Sequence, residues 1–158
     1  RVGSDHQLAR LLQIGIVLEE VVEARSYHHY QSLDDATLDP EIESLLEGAA
    51  AESAAHRERL EALVDELDAE SIPFEEIEAL VEAQYGGTDP EDFDDILYDQ
   101  LCNEETAYKF YDDLVGALRA SDATFGLDRY RLIDVLVEIR AEEADGVEEV
   151  TKVMNDRS

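Results

Sequence analysis

The sequence predicts an all-α fold, and three observations carry that prediction. Apolar residues recur three and four apart along four long stretches, the spacing that lines up one face of a helix. No stretch shows the alternation of a strand. Two short connections flank one long one of about 20 residues, which arranges four helices as two antiparallel hairpins joined by a crossover with its own short helix. Residues 1–158 read as a single bundle domain, long enough to bury a hydrophobic core.

The first helix is expected over about 4–33. Ser4 and Gln7 form a capping box at its start, and Leu8, Leu11, Leu12, Gly15, Leu18 and Val22 mark its inner face. The acidic stretch DDATLD breaks it. Asp39-Pro40 restarts the chain with proline at the first helical position, where its missing N–H does no harm. This second helix runs over about 40–67 on a stripe that includes Leu46, Ala49, Ser53, His56, Leu60 and Leu63. A short piece over about 74–85 follows Pro73 and stops at Gly86-Gly87. Asp89-Pro90 opens the next long helix, about 90–121, and DATFGLD turns the chain into the last, about 128–154.

Charge narrows the function. Asp and Glu number 41 against 12 Lys and Arg, a formal net of -29. Such a surface repels nucleic acid and anionic membranes, so neither is expected as a partner. The 44% hydrophobic residues, set in periodic runs, argue against disorder. The acidity reads instead as adaptation to a salt-rich cytoplasm, where counterions screen self-repulsion. Cys102 is the only cysteine, so no intrachain disulfide and no thiolate metal pair can form. No run is long and apolar enough for a signal peptide or a membrane span, and the expected location is cytoplasmic.

The informative residues are acids on apolar stripes. Leu97, Leu101, Glu104, Tyr108, Tyr111, Val115 and Leu118 share one face, with Glu104 in its middle. A carboxylate there is costly unless a cation or a hydrogen-bond donor answers it. An internal repeat multiplies the case. An offset of 85 residues lays Leu12, Ile16, Glu19 and Glu20 over Leu97, Leu101, Glu104 and Glu105. An offset of 90 lays Leu46, Ala49, Ser53 and Leu60 over Leu136, Ile139, Glu143 and Val150. The helical wheel favours Glu19 as the inward acid of the first helix; an offset of 84, pairing Tyr27 with Tyr111, favours Glu20.

Dinuclear carboxylate bundles take one glutamate from each of two helices and Glu-x-x-His from each of the other two. Glu19 (or Glu20) and Glu104 fill the first pair of places. In the second helix His56 is present but Ser53 stands three residues before it, with Glu52 as the nearest substitute. In the last helix Glu143 is present but Gly146 holds the histidine place, with Glu142 and Asp145 close by. Carboxylates with an imidazole suit iron or manganese, and zinc can also take such a set.

On these residues the chain resembles the rubrerythrin and ferritin-like superfamily. The likeness covers nearly the whole length: the crossover topology, the EE pair in the first helix of each hairpin, and EETAYKFY, which is similar to that family's Glu-x-x-Ala-x-x-Phe-Tyr. It implies a ferritin-like four-helix bundle, a homodimer or larger assembly, and iron held in the bundle core. It also implies iron oxidation or peroxide reduction in oxidative-stress defence. The expected ligands are Glu19, Glu52, His56, Glu104 and Glu143, in a centre weakened or made mononuclear by Ser53 and Gly146.

The rival expectation is a metal-free bundle of the same outline, acting as a binding or assembly module. Its buried glutamates would be protonated, or paired with His56 and with Arg140, one turn before Glu143. Arg57 or Arg59 would answer Glu23. His28 and His29, beside Tyr27 and Tyr30, offer a lesser candidate for a second metal site two turns beyond Glu19.

Overall fold

The structure is a computed structural model that describes residues 2–32, 39–67, 75–77, 79 and 93–157, with backbone alone for 22–32 and 93–95. It is all-α. The long helices are α1 (Asp5–Ser32), α2 (Pro40–Asp65), α3 (Phe93–Arg119) and α4 (Arg129–Arg157). Residues 75–77 and 79 of the short crossover piece are helical; the rest of that expected element lies outside the described residues.

Each start is dictated locally. The amide of Gln7 donates to Ser4 Oγ (3.2 Å), the first half of the expected capping box, while Gln7 Oε1 accepts from the amide of Gly3 (2.7 Å), one residue before the cap. Asp39 caps α2 by accepting from the amides of Glu41 and Ile42, with Pro40 at the first position. The turn into α4 is held by Asp128, whose carboxylate accepts from the Tyr130 amide at 2.9 Å. Long-range contacts tie the ends: Ser121 Oγ donates to the Val2 carbonyl, and the Gly126 amide donates to Asp5.

Helix directions follow from which residues meet. Glu19 faces His56 while Gly15 faces Leu60, so α1 and α2 are antiparallel. Glu104 faces Gly146 while Asp112 faces Arg140, so α3 and α4 are antiparallel. Glu19 meets Tyr111 while Asp5 meets Gly126, which opposes α1 to α3 and its following turn. Arg59 meets Glu142 while Asp39 meets Arg157, which opposes α2 to α4. The order is therefore up, down, down, up. α2 and α3 thus run the same way, each about 40 Å long.

Besides a small cluster of Val17, Leu18 and Ile77, the core among the described residues has two apolar parts. One gathers Leu8, Leu12, Leu60, Leu63, Tyr111, Val115, Leu118, Leu132, Leu136 and Ile139. The other gathers Ile42, Leu46, Ile96 and Leu97. Between them lies a polar layer to which every long helix contributes. No helix among the described residues is long and apolar enough to cross a membrane.

Candidate metal centre

Four buried side chains make the layer: Glu19 from α1, His56 from α2, Glu104 from α3 and Glu143 from α4, none more than 8% exposed. Their places follow from helical spacing. Glu104 lies one turn before Ala107 and two before Tyr111 on the buried face of α3, and Glu143 follows Leu132, Leu136 and Ile139 at three- and four-residue steps. Glu19 rather than Glu20 points inward. Glu20 lies on the outer side, 3.7 Å from Arg57.

The imidazole is the meeting point. His56 Nδ1 is 3.2 Å from Glu19 Oε1 and 3.1 Å from Glu143 Oε1. Tyr111 donates its hydroxyl proton to the same Glu19 oxygen at 2.8 Å. Glu104 accepts from Gln100 Nε2 at 2.9 Å and shares a hydrogen bond with Glu143, which also bonds Glu19. The answer to Glu104 is thus a neighbouring acid and an amide one turn back.

Three buried carboxyl groups cannot all be ionised beside one imidazole. Burial drives Glu143 far above the carboxylate range, and the charges of Glu19 and Glu104 push it the same way. It is the protonated member, and its O–H serves a neighbouring carboxylate. Burial also raises Glu104, against the pull of its bonds to Glu143 and Gln100. For Glu19 burial pushes upward, but hydrogen bonds from His56, Glu143 and Tyr111 outweigh it and hold the group below its ordinary value. Burial pushes His56 down, yet Glu19 by bond and charge, with Glu52 and Glu142, raises it overall.

Gly146 makes this layer possible. A Cβ at that position would stand 2.5 Å from Glu104 Oε2 and 2.7 Å from its Cδ. The carboxylate of Glu104 occupies the space any larger residue would need. Where the superfamily pattern has a histidine, this chain has a notch filled from the facing helix.

A cation would find a suitable donor set here. One oxygen each of Glu19 and Glu143 and a nitrogen of His56 all lie within 4.8 Å of one another. Two donors on one ion with bonds of ~2.1 Å are about 3.0–3.4 Å apart, which matches the spacing around Nδ1. Beside them is a cavity of about 20 Å³ lined by Glu19, Ser53, Gln100, Asn103, Glu104 and Glu143. Roughly 10–15 Å³ of such space admits one water-sized species. The short Ser53 leaves that space. The residues around Nδ1 therefore fit one ion, and Ser53 and Gly146 add no ligand beside it.

Glu52, expected as the substitute for the glutamate missing at Ser53, does not join the carboxyl groups at Nδ1. It faces the opposite edge of the imidazole, 3.7 Å from Nε2, with Glu142 3.6 Å from the same nitrogen. Arg59 grips both oxygens of Glu142, at 3.0 and 2.8 Å. Burial, then the charges of Glu104, Glu142 and Glu149, pushes Glu52 up to about 7 against the pull of His56.

The arginines expected to neutralise the buried acids are engaged elsewhere. Arg140 donates to Asp112 at 2.9 Å, not to Glu143. Arg59 serves Glu142, and Arg57 lies by Glu20; the side chains of Glu23, Tyr27, His28, His29 and Tyr30 lie outside those described. Tyr108, expected on the stripe, is 38% exposed, and it is Tyr111 that reaches a carboxylate. Gln100 is a partner that the sequence reading misses, although its place four residues before Glu104 is a readable signal. No protein-family model, no curated protein and no solved structure matches this chain.

Proposed function

We propose that this protein is a ferritin-like, rubrerythrin-related metal protein whose centre holds a single transition-metal ion between Glu19, His56 and Glu143, with Glu104 at its edge. The observation that carries the reading is the convergence of one carboxyl or imidazole group from each of four helices, ordered up, down, down, up, at mid-bundle. Hard carboxylates with one imidazole suit iron or manganese, and zinc by geometry. Bound iron would supply one-electron chemistry toward dioxygen or peroxide, which is the reading's link to iron oxidation or peroxide reduction. A homodimer or larger assembly in a salt-rich cytoplasm belongs to the same proposal.

The chain's own residues have definite tasks in it. Glu143 would give up its proton to hold a cation, and the neighbouring cavity has room for one water-sized molecule. Tyr111 holds Oε1 of Glu19 in place beside the ring, and Gln100 orients Glu104. The apolar clusters on either side keep bulk water from the layer.

A second reading rests on the internal bonding of the layer. His56, Tyr111, Gln100 and a protonated Glu143 already supply donors to the buried carboxylates, so a metal-free bundle is chemically self-consistent. The test is metal content after purification in high salt: iron, manganese and zinc per chain, repeated with Glu19→Gln and Glu104→Ala. The metal reading expects about one ion per chain, lost with Glu19→Gln and weakened with Glu104→Ala. No bound metal, with stability unchanged or raised on Glu104→Leu, establishes the second reading.

A further inference from the structure

We infer that the outer edge of His56 is a separate cation site, formed by Nε2 with Glu52 and Glu142. The carrying observation is a nitrogen with nothing to bond. His56 is 0% exposed, yet among the described residues Nε2 has no hydrogen-bond partner, and neither has Glu52 Oε1, an atom also shut off from solvent. Leaving such groups unpaired in the interior is costly. Nε2, Glu52 and Glu142 offer three donor atoms within 4.8 Å of one another.

The spacings favour an ion over direct bonding. Nε2 lies 3.7 Å from Glu52 Oε1 and 3.6 Å from Glu142 Oε1, too far for N–H···O hydrogen bonds. They exceed by only a few tenths of an ångström the ~3.4 Å edge of a tetrahedral site with bonds of ~2.1 Å. A small inward movement of Glu52, whose side chain is 31% exposed, closes that gap. Arg59 meanwhile fixes Glu142 by its two-point grip and neutralises one charge of the pair.

The inner layer prepares this edge. When the ring is neutral with its proton on Nδ1, donated to Glu19 at 3.2 Å, its lone pair stands at Nε2. A histidine that binds metal through one nitrogen while donating the other N–H to a carboxylate is the usual arrangement of such ligands. Glu19 would play that supporting part for an ion on the outer edge. The neutral ring has one lone pair, so it serves the inner or the outer edge, and one ion excludes the other. The cation is a borderline divalent one such as Zn2+, which takes imidazole nitrogen and carboxylate oxygen together. The outer site does not depend on the inner one being filled.

The experiment takes the full chain, stripped with chelator in high salt, and titrates it with Zn2+ alone while following the ring nitrogens of His56 by 15N NMR. Glu143→Gln serves as the host, since the amide copies the shape of the protonated carboxyl it replaces. In that host Zn2+ is expected to bind once per chain and move the Nε2 resonance. Adding Glu52→Gln or Glu142→Gln should weaken binding at least ten-fold. A response at Nδ1 alone, in wild type and host, overturns the outer site and supports the inner one. A response at Nε2 that both outer substitutions leave unchanged also overturns it. An Nε2 response in wild type that persists unchanged in Glu143→Gln supports the outer site and counts against the inner reading. No response at either nitrogen removes both.

Discussion

Replacing Gly146 by alanine should destabilise the protein, against the ordinary expectation for a helix interior. Alanine is favoured over glycine there by about 0.5–1 kcal/mol. At Gly146 the new methyl would stand 2.5 Å from Glu104 Oε2, so the carboxylate has to leave its notch. It is 8% exposed and bonded to Gln100 and Glu143, so leaving the notch, even toward the neighbouring cavity, parts it from one of them. Breaking one buried bond and stranding its partner costs about 1–3 kcal/mol, which outweighs the gain in propensity. The net loss is about 1–2 kcal/mol, or a fall in Tm of roughly 2–8 °C for a chain of this size. At Gly48 and Gly116, also helical, an added methyl would meet nothing within 4 Å among the described residues, so Gly48→Ala and Gly116→Ala are internal controls expected to raise Tm. Thermal melts by circular dichroism at fixed high salt, with chelator present, compare the three. A Gly146→Ala protein as stable as the two controls would refute this account of Glu104.

Acidity of the layer sets the pH response of the metal-free protein. Carboxyl groups raised on folding, Glu143, Glu104 and Glu52, favour the folded state below their ordinary value of 4.5 and lose that contribution as pH rises, Glu52 through about 7. His56, raised from 6.5, acts in the same direction: its contribution is complete below 6.5 and is lost as pH climbs through the folded value. Glu19, lowered, acts oppositely, losing its contribution as pH falls through its folded value below 4.5. In chelator the Tm should therefore fall between about pH 5 and pH 8, and Glu52→Gln should flatten part of that slope. Tyr111→Phe removes the donor held 2.8 Å from Glu19 and should lower unfolding free energy by about 1–3 kcal/mol in urea titration. A net charge of -29 predicts a Tm that rises from dilute to molar KCl, and a melt indifferent to salt would contradict the halophilic reading.

Helices were legible because each carries its own punctuation. Ser4 with Gln7, and Asp39 with Pro40, set starts that depend on neighbours in sequence alone. The inward turn of Glu19, Glu104 and Glu143 was legible for a similar reason: the 3.6-residue period fixes which face an acid shares with leucines. Partnership was not. Arg140 lies one turn from Glu143 along α4, yet its guanidinium crosses to Asp112, because surface arginines in a chain this acidic have carboxylates on every side. Nor did the sequence reveal that Glu52 and Glu142 face one edge of the His56 ring and Glu19 and Glu143 the other, since those partners come from three different helices. Gly146 read as a missing ligand. Its use, as room for a side chain from α3, exists only once two helices are apposed.

The polar layer also locks the register of the bundle. Apolar interfaces of leucine and valine tolerate sliding, because one hydrocarbon contact substitutes for the next a turn away. A shift of one turn, about 5.4 Å, along any of the four helices would part donors and acceptors now about 3 Å apart. Directional bonds around one imidazole thus act as a pin through all four rods, selecting a single vertical alignment from several that greasy contacts alone would accept.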